Sequence, residues 1–157
     1  MRYFTLLLGS LLLISACKQP PNAELLKGSR WLCLDVVEIE NKDSLKYPDL
    51  SAEPAPEAFV EVYTADGAYE VYSAANGENI LGEGIEKARY NLEEVENKLV
   101  LTVDLYTNEG VWTSEQERIP YVVQELTETH FHAISDSTTP YGDRFYNEAK
   151  CVRKPEQ

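Results

Sequence analysis

His130 and His132 are the only histidines in this 157-residue chain, and their spacing places both on one face of a strand. Two imidazoles can begin a zinc or copper site, but such a site needs a third ligand, which the sequence does not identify. Glu128 lies on the same face of the predicted strand as the two histidines. Two surface histidines explain the pattern more simply, so we predict no metal and no cofactor.

The hydroxyl and carboxyl groups form no recognisable catalytic motif. Ser135 and Asp136 lie close to the histidines, but no G-x-S-x-G turn accompanies them. Glu93 and Glu94 are one of several acid pairs that acid–base chemistry could use, and with 27 acids such pairs arise by chance. There is no phosphate-binding glycine loop and no C-x-x-C motif. We therefore predict no catalytic residue and a protein that is not an enzyme.

The first cysteine follows a typical secretory leader. Met1-Arg2 is followed by an apolar run over residues 4–14 and then by Ser15-Ala16-Cys17. The tetrad at 14–17 resembles the lipobox of bacterial lipoproteins. That resemblance implies that residues 1–16 are a signal peptide and that Cys17 carries acyl chains such as palmitate. It places the chain in the bacterial cell envelope, held to the membrane by its N-terminal lipid. An ordinary signal with a chance cysteine is the alternative.

Lys18 follows the predicted lipidated cysteine. Lipoproteins kept in the inner membrane are associated with an Asp at this position, so the same resemblance favours the outer membrane. Neither the periplasmic nor the surface orientation is favoured.

Composition limits the domain count and the partners. Removal of residues 1–16 leaves 141 residues, enough for one domain with a real core. These carry 13 basic and 27 acidic side chains, a net charge of −14. That charge repels phosphate backbones, so we predict no nucleic-acid partner. It also disfavours an electrostatic hold on anionic lipids, which leaves the acyl chains as the anchor.

Cys33 and Cys151 lie near opposite ends of the mature chain. In an oxidising compartment the pair predicts a structural disulfide, which constrains the unfolded chain by about 4 kcal/mol in the loop-entropy treatment. Two buried free thiols are the alternative. If the disulfide joins directly opposed residues of antiparallel strands, Trp31 faces Arg153. A cation–π contact of roughly 0.5–2 kcal/mol then follows, and we assign both residues a structural role.

Almost no helix is predicted. Residues 17–23 form the lipidated cysteine and a tether, and Asn22 caps a short helical turn that Gly28 ends. Apolar alternation and turn signals then predict strands over 30–39, 59–63, 69–71, 87–92, 99–105, 111–118, 121–126, 129–134 and 143–152. A single antiparallel sheet of eight or nine strands usually closes into a barrel, because closure removes the edges.

The interior of such a barrel is either filled by side chains or holds one small ligand. Asp66-Gly67 reads as a two-residue hairpin loop, which pairs Val62 with Val71 and points both inward with Tyr69. Tyrosine gives a cavity wall an apolar body and an orienting hydroxyl. The alternative is that these residues fill the core. The predicted lining residues are Tyr69, Tyr90, Val62, Val71, Leu99, Leu101 and Val103.

Residues 41–56 form the one long irregular segment, with three prolines and several acids. Connections of this length are often lids or binding loops. We predict that it partly covers the mouth of the barrel, and a solvated flap without a role is the alternative.

Two stretches resemble lipocalins. Leu25-Leu26-Lys27-Gly28-Ser29-Arg30-Trp31 resembles the helical turn and first strand that open a lipocalin-type barrel, and Leu126 to Phe131 matches L-T-x-T-x-F, a pattern of bacterial lipocalin-like lipoproteins. The resemblance implies an all-β, single, antiparallel up-and-down barrel over 24–157. It also implies that the first-strand Trp plugs one end and is crossed by an Arg.

The sequence therefore predicts a membrane-anchored lipoprotein whose barrel binds a small apolar or amphipathic ligand without catalysis. The alternative is a filled barrel with acidic loops that interacts with a cell-envelope protein or inhibits one. Fold analogy alone does not decide between these functions.

Overall fold

The computed structural model describes residues 21–38, 43–111, 118–138, 142 and 144–155. The predicted signal peptide, Cys17 and most of the predicted strand over 111–118 lie outside these ranges. Within them, no helix has the length and apolar character needed to cross a membrane.

The described chain is one antiparallel sheet preceded by a 3-10 turn over Ala23–Leu25. Eight strands close into a ring, because β4 pairs with β5 as well as with β3. The two-residue β6 pairs only with β5. This confirms the predicted all-β barrel. The strands are β1 Ser29–Val36, β2 Phe59–Tyr63, β3 Ala68–Ser73, β4 Lys87–Val95, β5 Lys98–Thr107, β6 Gly110–Val111, β7 Tyr121–Leu126, β8 His130–Thr138 and β9 Arg144–Arg153.

One end of the barrel is closed by the N-terminal turn and a packed aromatic layer. The Asn22 side chain accepts a hydrogen bond from the Glu24 amide at 3.1 Å, and Gly28 ends the turn at φ +66°, as predicted. Leu26 and Trp31 are completely buried at this end. The Trp31 ring lies 5.7 Å from that of Phe131, and its Nε1 donates to Ser29 Oγ at 2.6 Å. The buried indole is therefore both packed and hydrogen-bonded.

A disulfide joins the first and last strands. Cys33 on β1 bonds to Cys151 on β9 across 118 residues of sequence. These cysteines are direct cross-strand partners, and the same register pairs Trp31 with Arg153. The Arg153 guanidinium lies 5.7 Å from the centre of the Trp31 ring. The predicted pairing, register and cation–π contact are all confirmed.

The hairpin between β2 and β3 differs from the prediction by one residue. Thr64 and Ala68 flank a three-residue loop, in which Gly67 has φ +89°. Val62 consequently pairs with Glu70 rather than with Val71. A one-residue slip moves a strand's side chains to the opposite face, so the prediction that Val62 points inward is wrong.

Val62 belongs to an apolar cluster on the outside of the barrel, formed around Leu32, Val60 and Val152. Tyr47 and Ala55 of the long loop pack against this cluster. No residue of the described part of the loop, 43–56, lines the cavity inside the barrel. The prediction that the loop covers the mouth is therefore wrong for these residues, because an apolar outer wall is available for it to shield from water. Residues 41–42 lie outside the described part.

Candidate ligand-binding cavity

The barrel encloses a cavity of about 570 Å³. Its wall is mostly apolar, with a few polar groups that converge on the same space, as in small-molecule sites of other proteins. The lining residues are Asp35, Phe59, Glu61, Tyr63, Tyr69, Leu101, Val103, Leu105, Ile119, Tyr121, Phe131, Ala133, Asn147 and Ala149.

Three of the predicted lining residues line this cavity. Tyr69 comes from β3, and Leu101 and Val103 come from β5, whose inward stripe was the clearest apolar alternation in the sequence. These strands reach the same cavity because β4 and β5 close the ring.

The other predicted lining residues do not reach the cavity. Tyr90 and Leu99 pack against the inner core, and the Tyr90 hydroxyl donates to the Thr64 carbonyl at 2.8 Å instead of facing a ligand. Val71 is buried and shares its face with Glu61, but it lies outside the lining. Val62 packs on the outer wall.

Glu61 is the polar centre of the cavity. The Tyr63 hydroxyl donates to Glu61 Oε2 at 2.6 Å, and the Tyr69 hydroxyl donates to Oε1 at 2.8 Å. Tyr63 and Tyr69 are cross-strand partners, and Glu61 lies two residues from Tyr63 on the same face of β2. The hairpin register therefore places both phenols on one carboxyl group.

Burial governs ionisation at this centre. Burial raises the pKa of Glu61 above its ordinary value, although the hydrogen bonds from Tyr63 and Tyr69 oppose this and the charge of Asp35 adds to it. Burial, together with the charge of Glu61, raises the pKa of Tyr63 and Tyr69 well above the usual range. Burial, with the charges of Glu61 and Asp35, also raises the pKa of Tyr121 to about 12. The phenols therefore keep their protons and act as donors.

A second polar group lies towards the open end. Asn147 Nδ2 donates to Asp35 Oδ2 at 3.0 Å, and the Asp35 side chain is exposed to solvent. Ser135, the cross-strand partner of Asn147, is fully buried, and its Oγ makes no hydrogen bond to any described residue. No Lys, Arg or His lines the described cavity. The charged residues that line the described cavity are therefore all acidic.

Among the described residues, the acidic centre offers no cluster of three free metal ligands. Within the described residues, the only cluster of potential metal-ligating atoms is formed by Cys33, Cys151 and Glu61, which lie within 4.8 Å of one another. Both sulfur atoms are joined in the disulfide, so neither is available as a thiolate ligand. His130 and His132 lie on the outward phase of β8, away from this centre.

The outer wall carries a second buried carboxyl group, on Glu148. Tyr146 donates to its Oε2 at 2.6 Å, His132 Nε2 lies 2.9 Å from its Oε1, and Lys150 Nζ lies 3.5 Å from the same oxygen. Burial opposes ionisation of Glu148, but the hydrogen bonds from Tyr146 and His132 and the charge of Lys150 outweigh it and lower the pKa. Burial lowers the pKa of His132, so a neutral imidazole donates to this carboxylate.

Sequence reasoning missed most of the polar groups that face the cavity, including Asp35, Glu61, Tyr63, Tyr121 and Asn147. The available signal was the aromatic phase of β2, since Phe59, Glu61 and Tyr63 share one face. Sequence reasoning took the strand's valines as the residues that point inward. That choice places Glu61 and its two aromatic neighbours on the outer face, so Glu61 was not considered as a cavity residue.

Comparison of the chain with protein-family models and with curated proteins finds no match, so the assignment of the site rests on its own geometry.

Proposed function

We propose that this protein is a lipid-anchored envelope protein that holds one small amphipathic ligand inside its barrel and performs no reaction on it. The cavity of about 570 Å³, with its apolar wall and the polar centre at Glu61, is the observation that carries the proposal. Ligand sites commonly occupy roughly 300–1,000 Å³ and combine apolar walls with a few orienting polar groups.

The size of the cavity favours ligand binding over the filled-barrel alternative. A packed barrel interior leaves few voids larger than a water molecule, whose share of liquid volume is roughly 30 Å³. The space inside this barrel is far larger, and its walls come from strands on all sides of the ring.

The chemistry of the wall favours binding over catalysis. The described lining residues contain no Ser, His or Lys and no free thiol, so they offer none of the common pairs of a nucleophile with a nitrogen base. The cavity tyrosines hold their protons, which suits them to orient a ligand by donation.

Mass spectrometry of the full-length protein, expressed with its leader and purified from membranes in a nonionic detergent, tests both parts of the proposal. We expect an intact mass that corresponds to loss of residues 1–16 plus an acylated Cys17. A native spectrum should also show a stoichiometric small molecule that solvent extraction releases.

Ala133→Phe narrows the cavity from β8 and should abolish this co-purification. Ile134→Phe, on the opposite face of the same strand, is the matched control. Circular dichroism and an intact disulfide establish that both variants fold. A folded wild-type protein that neither carries an extracted molecule nor takes up an added apolar probe contradicts the ligand-binding proposal.

A further inference from the structure

We propose that the cavity selects ligands that carry a protonated amine, which Glu61 holds, and that it rejects carboxylates such as free fatty acids. This inference rests on the proposed function and names the ligand class of the same cavity.

The first support is the charge of the wall. Asp35 and Glu61 are the charged residues among the described lining, and no basic residue balances them. In an enclosed apolar space, an anionic ligand lacks a counter-charge and is repelled by both carboxyl groups. A cationic ligand supplies the missing charge, so the wall discriminates against one sign and favours the other.

The second support is the unused hydrogen-bonding capacity of Glu61. Each of its oxygens accepts one bond from a tyrosine, whereas a carboxylate oxygen has two lone-pair directions. Glu61 also lines the open volume of the cavity, so its remaining acceptor positions are available to a ligand. An ammonium group has three donors and no acceptor, which matches this centre.

The third support is that the carboxyl group is fixed in place before the ligand arrives. Tyr63 is almost completely buried and packs against the rings of Tyr69, Tyr90 and Phe131 at centroid distances of 5.3, 5.2 and 6.1 Å. The donor that orients Glu61 is therefore held by the core. Little side-chain entropy remains to be lost on binding, which favours affinity.

The rest of the wall indicates an apolar body attached to the amine. Leu101, Val103 and Leu105 run along β5 and share the cavity with Ile119. Asp35, exposed at the open end, adds negative potential along the entry path and favours the approach of cations. An arylalkylamine or alkylamine combines both features.

The test uses three probes of matched size: phenylbutylamine, phenylbutanol and phenylbutyrate. Their binding to the full-length protein in nonionic detergent is measured by equilibrium dialysis at about pH 7, against micelles without protein. We expect the amine to bind at least about 10-fold more tightly than the carboxylate, with the alcohol between them.

Glu61→Gln removes the charge and keeps the size of the side chain, with one carbonyl oxygen to accept from a tyrosine and an NH2 group in place of the second oxygen. We expect it to weaken amine binding about 10-fold and to change alcohol binding less than about 2-fold. Glu70→Gln is the control, because Glu70 also accepts a bond from a tyrosine, Tyr72, but lies on the outer face of the barrel. It should leave the order of the probes unchanged.

The outcomes separate the two proposals. Binding of the alcohol or the carboxylate without preference for the amine, or an amine preference that Glu61→Gln leaves intact, overturns the amine assignment and keeps the ligand-binding function. Absence of binding for all three probes and for a larger apolar probe overturns both.

Discussion

Glu61 inside the barrel and Glu148 on its outer wall have similar hydrogen bonds from tyrosine but different charged neighbours. Each is held by the hydroxyl of a tyrosine two residues away on its own strand, at 2.6 Å in both cases. Glu148 also has His132 at 2.9 Å and Lys150 at 3.5 Å, whereas no cation lines the described cavity around Glu61. Hydrogen bonds and charge lower the pKa of Glu148, and burial raises that of Glu61.

The comparison shows that a hydrogen-bonded tyrosine–glutamate pair has a structural role where a basic side chain of the protein, here Lys150, lies beside the carboxyl group. The same pair is a candidate binding centre where no basic side chain of the described lining lies beside it. Burial opposes the ionisation of both carboxyl groups, and hydrogen bonds and a nearby charge outweigh it only at Glu148. Each of the following predictions tests this comparison.

Glu148→Ala should have the largest effect on stability. It leaves His132 and Tyr146 without their shared acceptor and Lys150 without its counter-ion in a poorly hydrated place. We expect the free energy of unfolding to fall by about 2–3 kcal/mol, as measured by urea denaturation at neutral pH.

Glu70→Ala is the matched control for this loss, because Tyr72 donates to Glu70 at 2.8 Å where both side chains are partly exposed. Exposed polar pairs contribute little, so we expect a loss below about 1 kcal/mol. Equal losses in the two variants would show that the surroundings of Glu148 add nothing to the tyrosine bond.

Glu61→Gln should have a smaller effect of the opposite sign. A carboxyl group whose pKa is raised in the folded state binds a proton that the unfolded state has released. Folding stability therefore falls as pH rises above about 4.3, the ordinary pKa of Glu. Asp35, Tyr63 and Tyr69 face this group and are unchanged in the variant. We expect Glu61→Gln to be more stable than wild type at neutral pH, with the difference shrinking as the pH falls towards about 4.

Urea denaturation between pH 4 and 8 measures this difference, and Glu148→Gln provides the contrast. The pKa of Glu148 is lowered in the folded state, so its charge stabilises the fold at neutral pH, and that contribution is lost as pH falls through the folded-state value. Slopes of the same sign for both variants would contradict the distinction between the two carboxyl groups.

Tyr47→Phe should have the smallest effect and should leave the cavity unchanged. The Tyr47 hydroxyl donates to Glu125 at 2.8 Å, and its ring packs on His130 at 4.6 Å, both on the outer wall. Loss of one partly exposed hydrogen bond costs about 0.5–1 kcal/mol. Faster amide exchange in residues 43–58, with unchanged binding of phenylbutylamine, is the expected result. Weaker ligand binding would show that the loop acts on the cavity after all.

Much of the barrel was predictable because its signals are local. Alternation in β5, the turn that Asn22 begins and Gly28 ends, and the spacing of the strands each depend on neighbouring residues. The cysteine pair then fixed the register of β1 against β9, since one pair of directly opposed residues determines every other pair on the same two antiparallel strands. Trp31 and Arg153 meet for that reason.

The candidate site was less predictable, because one residue in a turn decides which face of a strand points inward. With Gly67 as the third residue of the loop instead of the second of two, Glu61 enters the cavity and Val62 leaves it. The sequence contains no local signal that fixes this count. The placement of the long loop escaped prediction for a similar reason, because it depends on an apolar outer wall that exists only after the strands pair.

By itself, the sequence determined an acidic, all-β chain with a predicted lipid anchor and one cysteine pair, because composition and short-range periodicity carry that information. Only the tertiary structure decided that the barrel encloses an open cavity, and that one of two similar carboxyl groups faces it without a cation. Closure of the sheet and the register of each hairpin determine what a side chain faces. Both depend on contacts between strands, so no single segment of sequence predicts them.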